Sequence, residues 1–180
     1  MKSLREIDIK ELNLNPYTLF GHDWAALTVK NRDSSLGYNS MAIAWGEMGA
    51  LWRREKAPDY VPIVSVFVRP QRFTKGLIDR EAMFSLSFLK DEHKKALKHI
   101  GVYSGRDDDR KIETAGLSLV ESDGTAYIAG AKLVFICNKI YADDIEESCF
   151  KDRAIVESTY PNRDFHTQYI GEIVRVLIEE

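Results

Sequence analysis

Hydrophobic positions in this chain fall in short runs that are rich in β-branched and aromatic residues. Polar clusters of Gly, Asp, Asn and Pro separate these runs, as at 31–35 and 122–124. This alternation of apolar runs and turn signals is typical of β-strands. It predicts strands at 24–29, 41–45, 63–68, 84–89, 125–129, 131–140 and 169–178, and therefore a mainly β protein.

The run at 62–68, Pro-Ile-Val-Ser-Val-Phe-Val, is apolar on both alternating faces except at Ser65. A strand with two apolar faces is covered on both sides, so we expect this one to lie in the middle of the sheet. Closing a sheet removes its exposed edges. Many short strands with a few helices between them therefore predict a closed or partly closed β-barrel with short helices.

Helices are predicted at 74–81, 91–100, 109–115 and 143–150. Thr74 and Asp91 are suitable N-cap residues for the first two, and Gly101 is a suitable end for the second, because small polar side chains and glycine favour these positions. The charged segment 53–60 is predicted to be an exposed loop inserted between two strands.

A chain of 180 residues with 44% hydrophobic content can bury one substantial core, and we expect one domain over 1–180. The net charge of −3 disfavours nucleic acid and suits a small anionic ligand better. The first residues lack a secretory signal, and no run is long enough to span a membrane, so a cytoplasmic protein without membrane contact is expected. Cys137 and Cys149 have no metal-binding spacing, and Cys137 is expected to be a buried reduced thiol.

The segment 37–46, Gly-Tyr-Asn-Ser-Met-Ala-Ile-Ala-Trp-Gly, joins a neutral polar corner to a strand of small residues that ends in an indole. Asn39 and Ser40 offer an amide and a hydroxyl without charge. Ala42 and Ala44 leave the backbone open to close approach, so a planar ligand could lie against this strand. By itself the pattern also fits an ordinary strand after a glycine turn.

A second candidate site is the segment 69–76, Arg-Pro-Gln-Arg-Phe-Thr-Lys-Gly, which leads from a buried strand into a helix. It brings the guanidinium groups of Arg69 and Arg72 to the first N–H groups of that helix. Both kinds of group bind phosphate, so the segment predicts a phosphomonoester site. Arg106 and Lys111, from the loop 103–111, could complete it. The alternative for each cation is a solvated surface position.

His166 precedes the last predicted strand, on a loop from which its ring could reach the mouth of a pocket. Imidazole titrates near neutral pH and could donate a proton or a hydrogen bond to a redox ring, although a lone histidine also serves structural roles. The sequence has no Gly-rich dinucleotide fingerprint, phosphate loop or nucleophile elbow. Three consecutive aspartates at 107–109 cannot all face one ion, so no metal site is predicted.

Together these segments resemble the flavin reductase-like family, whose fold is the FMN-binding split β-barrel of Greek-key type. The resemblance spans about residues 15–176 and rests on segments in the family's order: 39–46, 65–70 leading to Thr74, 84–89, 104–106 with Lys111, and His166 ahead of 170–172. The flavoredoxin-like branch is the most similar variety, judged from the Trp45-Gly46 ending and the strand end at 137–141.

The resemblance implies a homodimer with FMN bound near the subunit interface. The residues that it assigns to the ribityl chain and the flavin ring are Asn39, Ser40, Met41, Ala42, Ala44 and Trp45, and those assigned to the phosphate or the adjoining wall are Arg69, Thr74, Ser87, Arg106 and Lys111. Ser87 stands where many relatives carry Asn, and the family's Gly-Asp-His is here Asp164-Phe165-His166.

The resemblance also implies a reductase in which NADH or NADPH passes a hydride to FMN, with His166 as the catalytic residue. The electrons then go to free flavin, to a partner protein or to another acceptor. In such an enzyme the cofactor carries the redox chemistry and the protein orients it. A non-enzymatic FMN-binding electron carrier, and a split-barrel oxidase or haem-binding relative, stay open as alternatives.

Overall fold

Ten β-strands and five short α-helices form within residues 3–180, the part of the chain that this computed structural model describes. The strands are β1 (Leu4–Ile7), β2 (Ala25–Lys30), β3 (Tyr38–Ile43), β4 (Gly46–Leu51), β5 (Val61–Val68), β6 (Met83–Phe88), β7 (Leu119–Ser122), β8 (Thr125–Ile128), β9 (Leu133–Asp144) and β10 (Thr167–Glu179). The helices are α1 (Pro16–Thr18), α2 (Phe73–Arg80), α3 (Lys94–Val102), α4 (Lys111–Thr114) and α5 (Arg153–Thr159).

Most strands belong to one antiparallel sheet. Its order is β3-β2-β6-β9-β10-β5-β4, and β1 pairs with the far end of β10. A separate hairpin joins β7 to β8 through Asp123 and Gly124, both in the left-handed region (φ 43° and 85°), which is the turn that the polar cluster at 122–124 predicts. The mainly β architecture with short helices is confirmed.

Alternate positions of the strands build two apolar layers. Leu27 and Phe135 belong to the main core, whereas their neighbours Ala26 and Val134 belong to a second layer that includes buried residues of α3. Because neighbouring side chains of a strand point to opposite faces, one face of the sheet packs on itself and the other is covered by α3, α4 and the hairpin. This arrangement leaves the ends of β3 and β5 available for a site.

Gly171 lies where β10 changes register against β9. A Cβ atom at this position would lie 2.5 Å from Cζ of Phe84 and 2.9 Å from Cβ of Cys137, so only glycine lets the strands approach this closely. Irregularities of this kind bend a strand and increase its twist. The long strands β9 and β10 therefore curve, as a partly closed barrel requires.

Several predicted elements differ from the observed ones. The run 62–68 is buried as expected, but β5 lies beside the edge strand β4, and β9 occupies the middle of the sheet order. The predicted helix at 143–150 is wrong, because β9 continues to Asp144 by pairing with Thr167 of β10. Only the 3₁₀ turn Glu147–Cys149 follows, and the helix of this region is α5, which Asp152 caps.

The predicted helix ends also shift. The segment at 91–100 begins as a 3₁₀ turn, Asp91–His93, and continues as α3, so Gly101 lies inside the last helical turn rather than after it. The helix predicted at 109–115 is reduced to α4. The loop between β4 and β5 is exposed over most of 52–60, as predicted. Cys137 is a buried free thiol, and Cys149 is free and exposed.

Candidate functional site

Two adjoining depressions lie where β3 and β5 end and α2 begins. The larger cleft has a volume of about 230 Å³, and its walls are Met41, Ala42, Ile43, Ala44, Trp45, Phe67, Arg69, Arg72 and His166. The smaller cavity, of about 60 Å³, is lined by Met41, Gln71, Arg72, Phe73, Thr74, Val102, Tyr103, Ser104, Gly105 and Lys111. Met41 and Arg72 belong to both, so the two depressions form one continuous candidate site.

The end of strand β3 and the two residues that follow it supply one wall of the larger cleft. Met41 and Ala44 line it directly, and Trp45 closes its end with an indole that is 44% exposed. The close approach at Ala42, expected for a ligand, is taken by α3, because a Cβ atom on Gly101 would lie 2.9 Å from Cβ of Ala42. Ala42 still lines the cleft, but its small size also serves the packing of helix on strand.

The start of α2 forms one wall of the smaller cavity. Arg72 occupies the N-cap position and no side chain caps the helix. Thr74 is therefore not the N-cap that the sequence predicts. It is a buried residue of the first turn, and its hydroxyl accepts a hydrogen bond of 2.8 Å from Nδ2 of Asn39. The first N–H groups of a helix lack partners within the helix and attract an anion.

Two cations without carboxylate partners border this helix end. Nη2 of Arg72 donates to the carbonyl of Gly101 at 2.6 Å, and Nζ of Lys111 donates to the carbonyls of Ile100 and Tyr103 at 3.1 and 2.9 Å. Within residues 3–180 neither takes part in an ion pair. Burial and the nearby charge of Arg72 lower the pKa of Lys111 to about 8, and Asp108 partly opposes this shift. The cavity thus combines positive charge with unpaired amides.

Gly105 and Arg106 close the rim of the smaller cavity. A Cβ atom on Gly105 would lie 2.1 Å from Oδ1 of Asn39 and 2.9 Å from Cδ1 of Phe73, so the absence of a side chain brings this loop against β3 and α2. Arg106 is exposed, with its guanidinium 5.9 Å from the centre of the Phe73 ring. It lies beside the cavity and does not line it.

His166 faces the larger cleft from the loop before β10. Its ring is buried and stacks on Trp45, with centroids 4.4 Å apart and planes inclined by 28°. Nδ1 lies 2.9 Å from the hydroxyl of Tyr160. Burial, followed by the charge of Arg69, lowers the pKa of His166 to about 4, so the ring is neutral at neutral pH. It can donate one hydrogen bond and accept another.

Arg69 belongs to the surroundings of His166 rather than to the smaller cavity. Its guanidinium pairs with Asp164, donates to the carbonyl of Thr159 at 2.9 Å and lies 5.2 Å from the centre of the Tyr160 ring. Because Asp164 already neutralises this cation, the expected phosphate contact of Arg69 is not supported. Arg72, from the same segment, lines the smaller cavity, whereas Arg69 lines only the larger cleft.

Two further predicted residues lie outside both depressions. Oγ of Ser40 is hydrogen-bonded to Oγ1 of Thr28 in the interior. Ser87 is buried, and its hydroxyl accepts the backbone N–H of Ile128 at 3.0 Å. Both hydroxyls are satisfied within the fold, so we do not retain them as ligand contacts.

Most of the other predicted site residues lie at the two depressions. Met41, Ala42, Ala44, Trp45, Arg69 and His166 line the larger cleft, Met41, Thr74 and Lys111 line the smaller cavity, and Asn39 supports Thr74 from behind. Phe67 and Tyr160 were missed. Phe67 reads as an ordinary apolar strand residue, and nothing in the local sequence sets Tyr160 apart from the other tyrosines.

Comparison with known proteins assigns this architecture to a class. The model of the flavin reductase like domain matches residues 59–180, which is more than half of the chain. The mainly β sheet with short helices is the FMN-binding split β-barrel. The chain belongs to the flavin reductase like domain family. The comparison with curated protein sequences gives no match.

Solved structures agree on the fold. An FMN-binding domain of a flavin reductases-like enzyme from Shewanella baltica is 19% identical, with 99% of this chain and 78% of that chain covered and a TM-score of 0.65. A flavoredoxin from Desulfovibrio vulgaris is 23% identical over 87% and 69% (TM-score 0.63). An NADH:FAD oxidoreductase from Streptomyces globisporus is 18% identical over 87% and 80% (TM-score 0.59). At these identities the similarity is one of fold.

Within residues 3–180, no helix has both the length and the apolar character that crossing a membrane requires.

Proposed function

We propose that the chain binds FMN across the two depressions, with the phosphate in the smaller cavity and the flavin ring in the larger cleft. The observation that carries this proposal is the pair of cations, Arg72 and Lys111, at the uncapped start of α2. Positive charge without a carboxylate partner beside free helix amides is the donor set that a phosphomonoester requires. The residues present therefore fit the group.

The larger cleft supports the ring end of the proposal. Its walls are mainly apolar or aromatic, from Met41 to Trp45 and from Phe67, and its polar groups are confined to one side. Such a lining binds a flat ring by contact and orients it by a few hydrogen bonds. His166 and Arg69 would supply those bonds at the end of the cleft, and Trp45 would pack against the ring or its edge.

The reaction that we propose is electron transfer from NADH or NADPH, through FMN, to free flavin or to a partner protein. Bound FMN would supply the hydride-accepting centre. The residues of the chain would hold the phosphate, keep one face of the ring dry and present the neutral His166 beside it. Among the described residues, the titratable side chains that line the larger cleft are those of His166, Arg69 and Arg72. This small set suits a reaction whose chemistry belongs to the cofactor.

We further propose that the active form is a homodimer. The larger cleft, of about 230 Å³, is smaller than the 300–1,000 Å³ of ordinary ligand sites, and Trp45 at its end is 44% exposed. A second chain laid over Trp45 would complete the pocket and bury the indole. Light scattering during size-exclusion chromatography should give twice the mass of 20.6 kDa, and a monomer that binds FMN with full affinity would contradict this.

The test of the proposed reaction is a spectroscopic one. The protein should bind FMN, and the flavin absorption should bleach on mixing with NADH or NADPH without oxygen, faster than free FMN does. Bleaching no faster than that of free FMN would overturn the reductase assignment. FMN binding without reduction by either nicotinamide would favour the electron carrier instead, and a Soret band in the purified protein would indicate haem.

FMN affinity should decrease as the pH rises past about 8. Lys111, whose pKa is lowered to about 8, is protonated below that pH and attracts the phosphate, and above it the charge is lost. Titration by flavin fluorescence should show the decrease for FMN and not for riboflavin, which lacks the phosphate. Lys111→Arg keeps its charge at high pH and should flatten the profile. Parallel losses for both flavins would refute this placement of the phosphate.

A further inference from the structure

Tyr160 and His166 form a buried pair behind the larger cleft. Tyr160 is 2% exposed and His166 8%, and a hydrogen bond joins the tyrosine hydroxyl to Nδ1 of the histidine, at 2.9 Å. Nε2, the other ring nitrogen, is left for the cleft that His166 lines. The ring thus has one nitrogen inside the protein and one available to a ligand.

The surroundings of Tyr160 decide the direction of this hydrogen bond. Phe150 and Phe165 enclose its ring, with centroids 6.0 and 4.6 Å away, and Arg69 lies over it. Burial raises the pKa of the Tyr160 phenol, so the hydroxyl keeps its proton. No acceptor other than Nδ1 is within reach in the part of the chain described. If the hydroxyl accepted from Nδ1–H, its own proton would be buried without a partner, which is unfavourable.

The position of Tyr160 is itself held by the fold. The residue ends α5, and its N–H donates to the carbonyl of Val156 at 2.8 Å. A turn then closes through the N–H of Arg163 and the carbonyl of Tyr160, at 3.0 Å. Arg69 contacts both sides of this turn through the carbonyl of Thr159 and the carboxylate of Asp164. The hydroxyl is therefore presented to His166 by a braced turn.

We propose that Tyr160 is a positioning residue, whose hydroxyl donates to Nδ1 of His166 and so places the ring proton on Nε2, facing the cleft. Since a neutral imidazole has one N–H, Nε2 is then a donor. Its partner in the cleft must be a hydrogen-bond acceptor, such as a carbonyl oxygen or an unprotonated ring nitrogen. That the acceptor is part of the flavin rests on the proposed function, whereas the tautomer does not.

Nitrogen NMR of the ligand-free protein tests the tautomer. In protein labelled with ¹⁵N-histidine, the His166 signals are identified by their loss in His166→Asn. The chemical shift of Nδ1 should be that of an acceptor nitrogen, and the chemical shift of Nε2 should be that of a protonated nitrogen. Tyr160→Phe keeps the ring and removes the donor. Its two shifts should move toward each other, and the titration midpoint of His166 should rise by about one pH unit, because the hydrogen bond to the neutral form is lost.

Tyr60→Phe is the matched control, because Tyr60 is exposed and makes no hydrogen bond among the described residues. It precedes the Val61 end of β5, whereas the Val68 end pairs with Thr167 beside His166, so the variant should leave both readings unchanged. A proton on Nδ1 in the unaltered protein would overturn the proposal, as would an unchanged tautomer and midpoint in Tyr160→Phe. Flavin fluorescence on the same samples reports FMN binding separately. If the tautomer is the expected one but the protein does not bind FMN, the proposed function is refuted and the role of Tyr160 still stands.

Discussion

Replacement of Arg72 by methionine is expected to weaken FMN binding by about 10- to 100-fold, because a hydrogen bond to a charged group contributes about 1.5–3 kcal/mol. The affinity for riboflavin should change little. Arg72 lines both depressions and has no carboxylate partner within residues 3–180, so an anion in the smaller cavity is its natural counter-charge. Parallel fluorescence titrations with the two flavins measure the difference.

Arg80→Met is the control for this substitution. Arg80 is exposed in the last turn of the same helix, so the variant removes an equal charge from α2 at the opposite end and should bind FMN normally. Thermal unfolding of the Arg72 variant checks that the lost hydrogen bond to Gly101 has not unfolded the protein. If FMN and riboflavin lost affinity equally, Arg72 would belong to the ring site and the phosphate would lie elsewhere.

Replacement of Gly105 by alanine is expected to lower the free energy of unfolding by about 1–3 kcal/mol, the usual cost of forcing an atom into a packed site. The added methyl group would lie 2.1 Å from Oδ1 of Asn39 and 2.9 Å from Phe73. Asn39 would have to leave Thr74, to which it donates, or the loop would have to withdraw from the cavity. Chemical denaturation measures the stability, and FMN affinity should fall as well.

Two further variants make the cause of this effect testable. Gly76→Ala adds the same atom in α2, where nothing lies within 4 Å, and should be neutral or stabilising by up to about 1 kcal/mol, since alanine favours a helix. Asn39→Ser shortens the side chain that the new methyl group would strike. The loss of unfolding free energy in the double variant should therefore be smaller than the sum of the losses in the two single variants. Strict additivity would mean that Gly105 acts through another contact.

The apolar run at 62–68 marks what the pattern can and cannot predict. Two apolar faces correctly indicate a strand buried on both sides, yet β5 lies next to the edge strand β4. Burial depends on what covers the two faces of a strand, whereas its position in the sheet depends on which strands pair with its edges. The sequence of one segment does not specify its pairing partners. The same limit applies to 143–150, where pairing with β10 extends β9 through residues that locally favour a helix.

The candidate site was predictable in part from the kinds of residue near one helix start. The phosphate site was predicted from Arg69 and Arg72, with Arg106 and Lys111 completing it, and of these four cations the structure places Arg72 and Lys111 in the lining of one cavity. Residues with several possible partners were not predictable. Arg69 pairs with Asp164, about a hundred residues away in the chain, and the hydroxyl of Ser40 in β3 is hydrogen-bonded to that of Thr28 in the neighbouring strand β2. Both side chains therefore have partners within the protein.

The sequence by itself determined that this is a mainly β protein, because strand propensity and turn chemistry are local properties, and the order of its segments indicated the flavin reductase-like family. The anion site where a strand leads into a helix stays a prediction. Only the tertiary structure decided which cation faces the cavity, which hydroxyls are satisfied internally and which nitrogen of His166 faces the cleft. These outcomes depend on partners brought together from distant segments, as Tyr160 and Trp45 are around His166, and hydrogen bonds and ion pairs form only between groups that the fold places within about 3–4 Å.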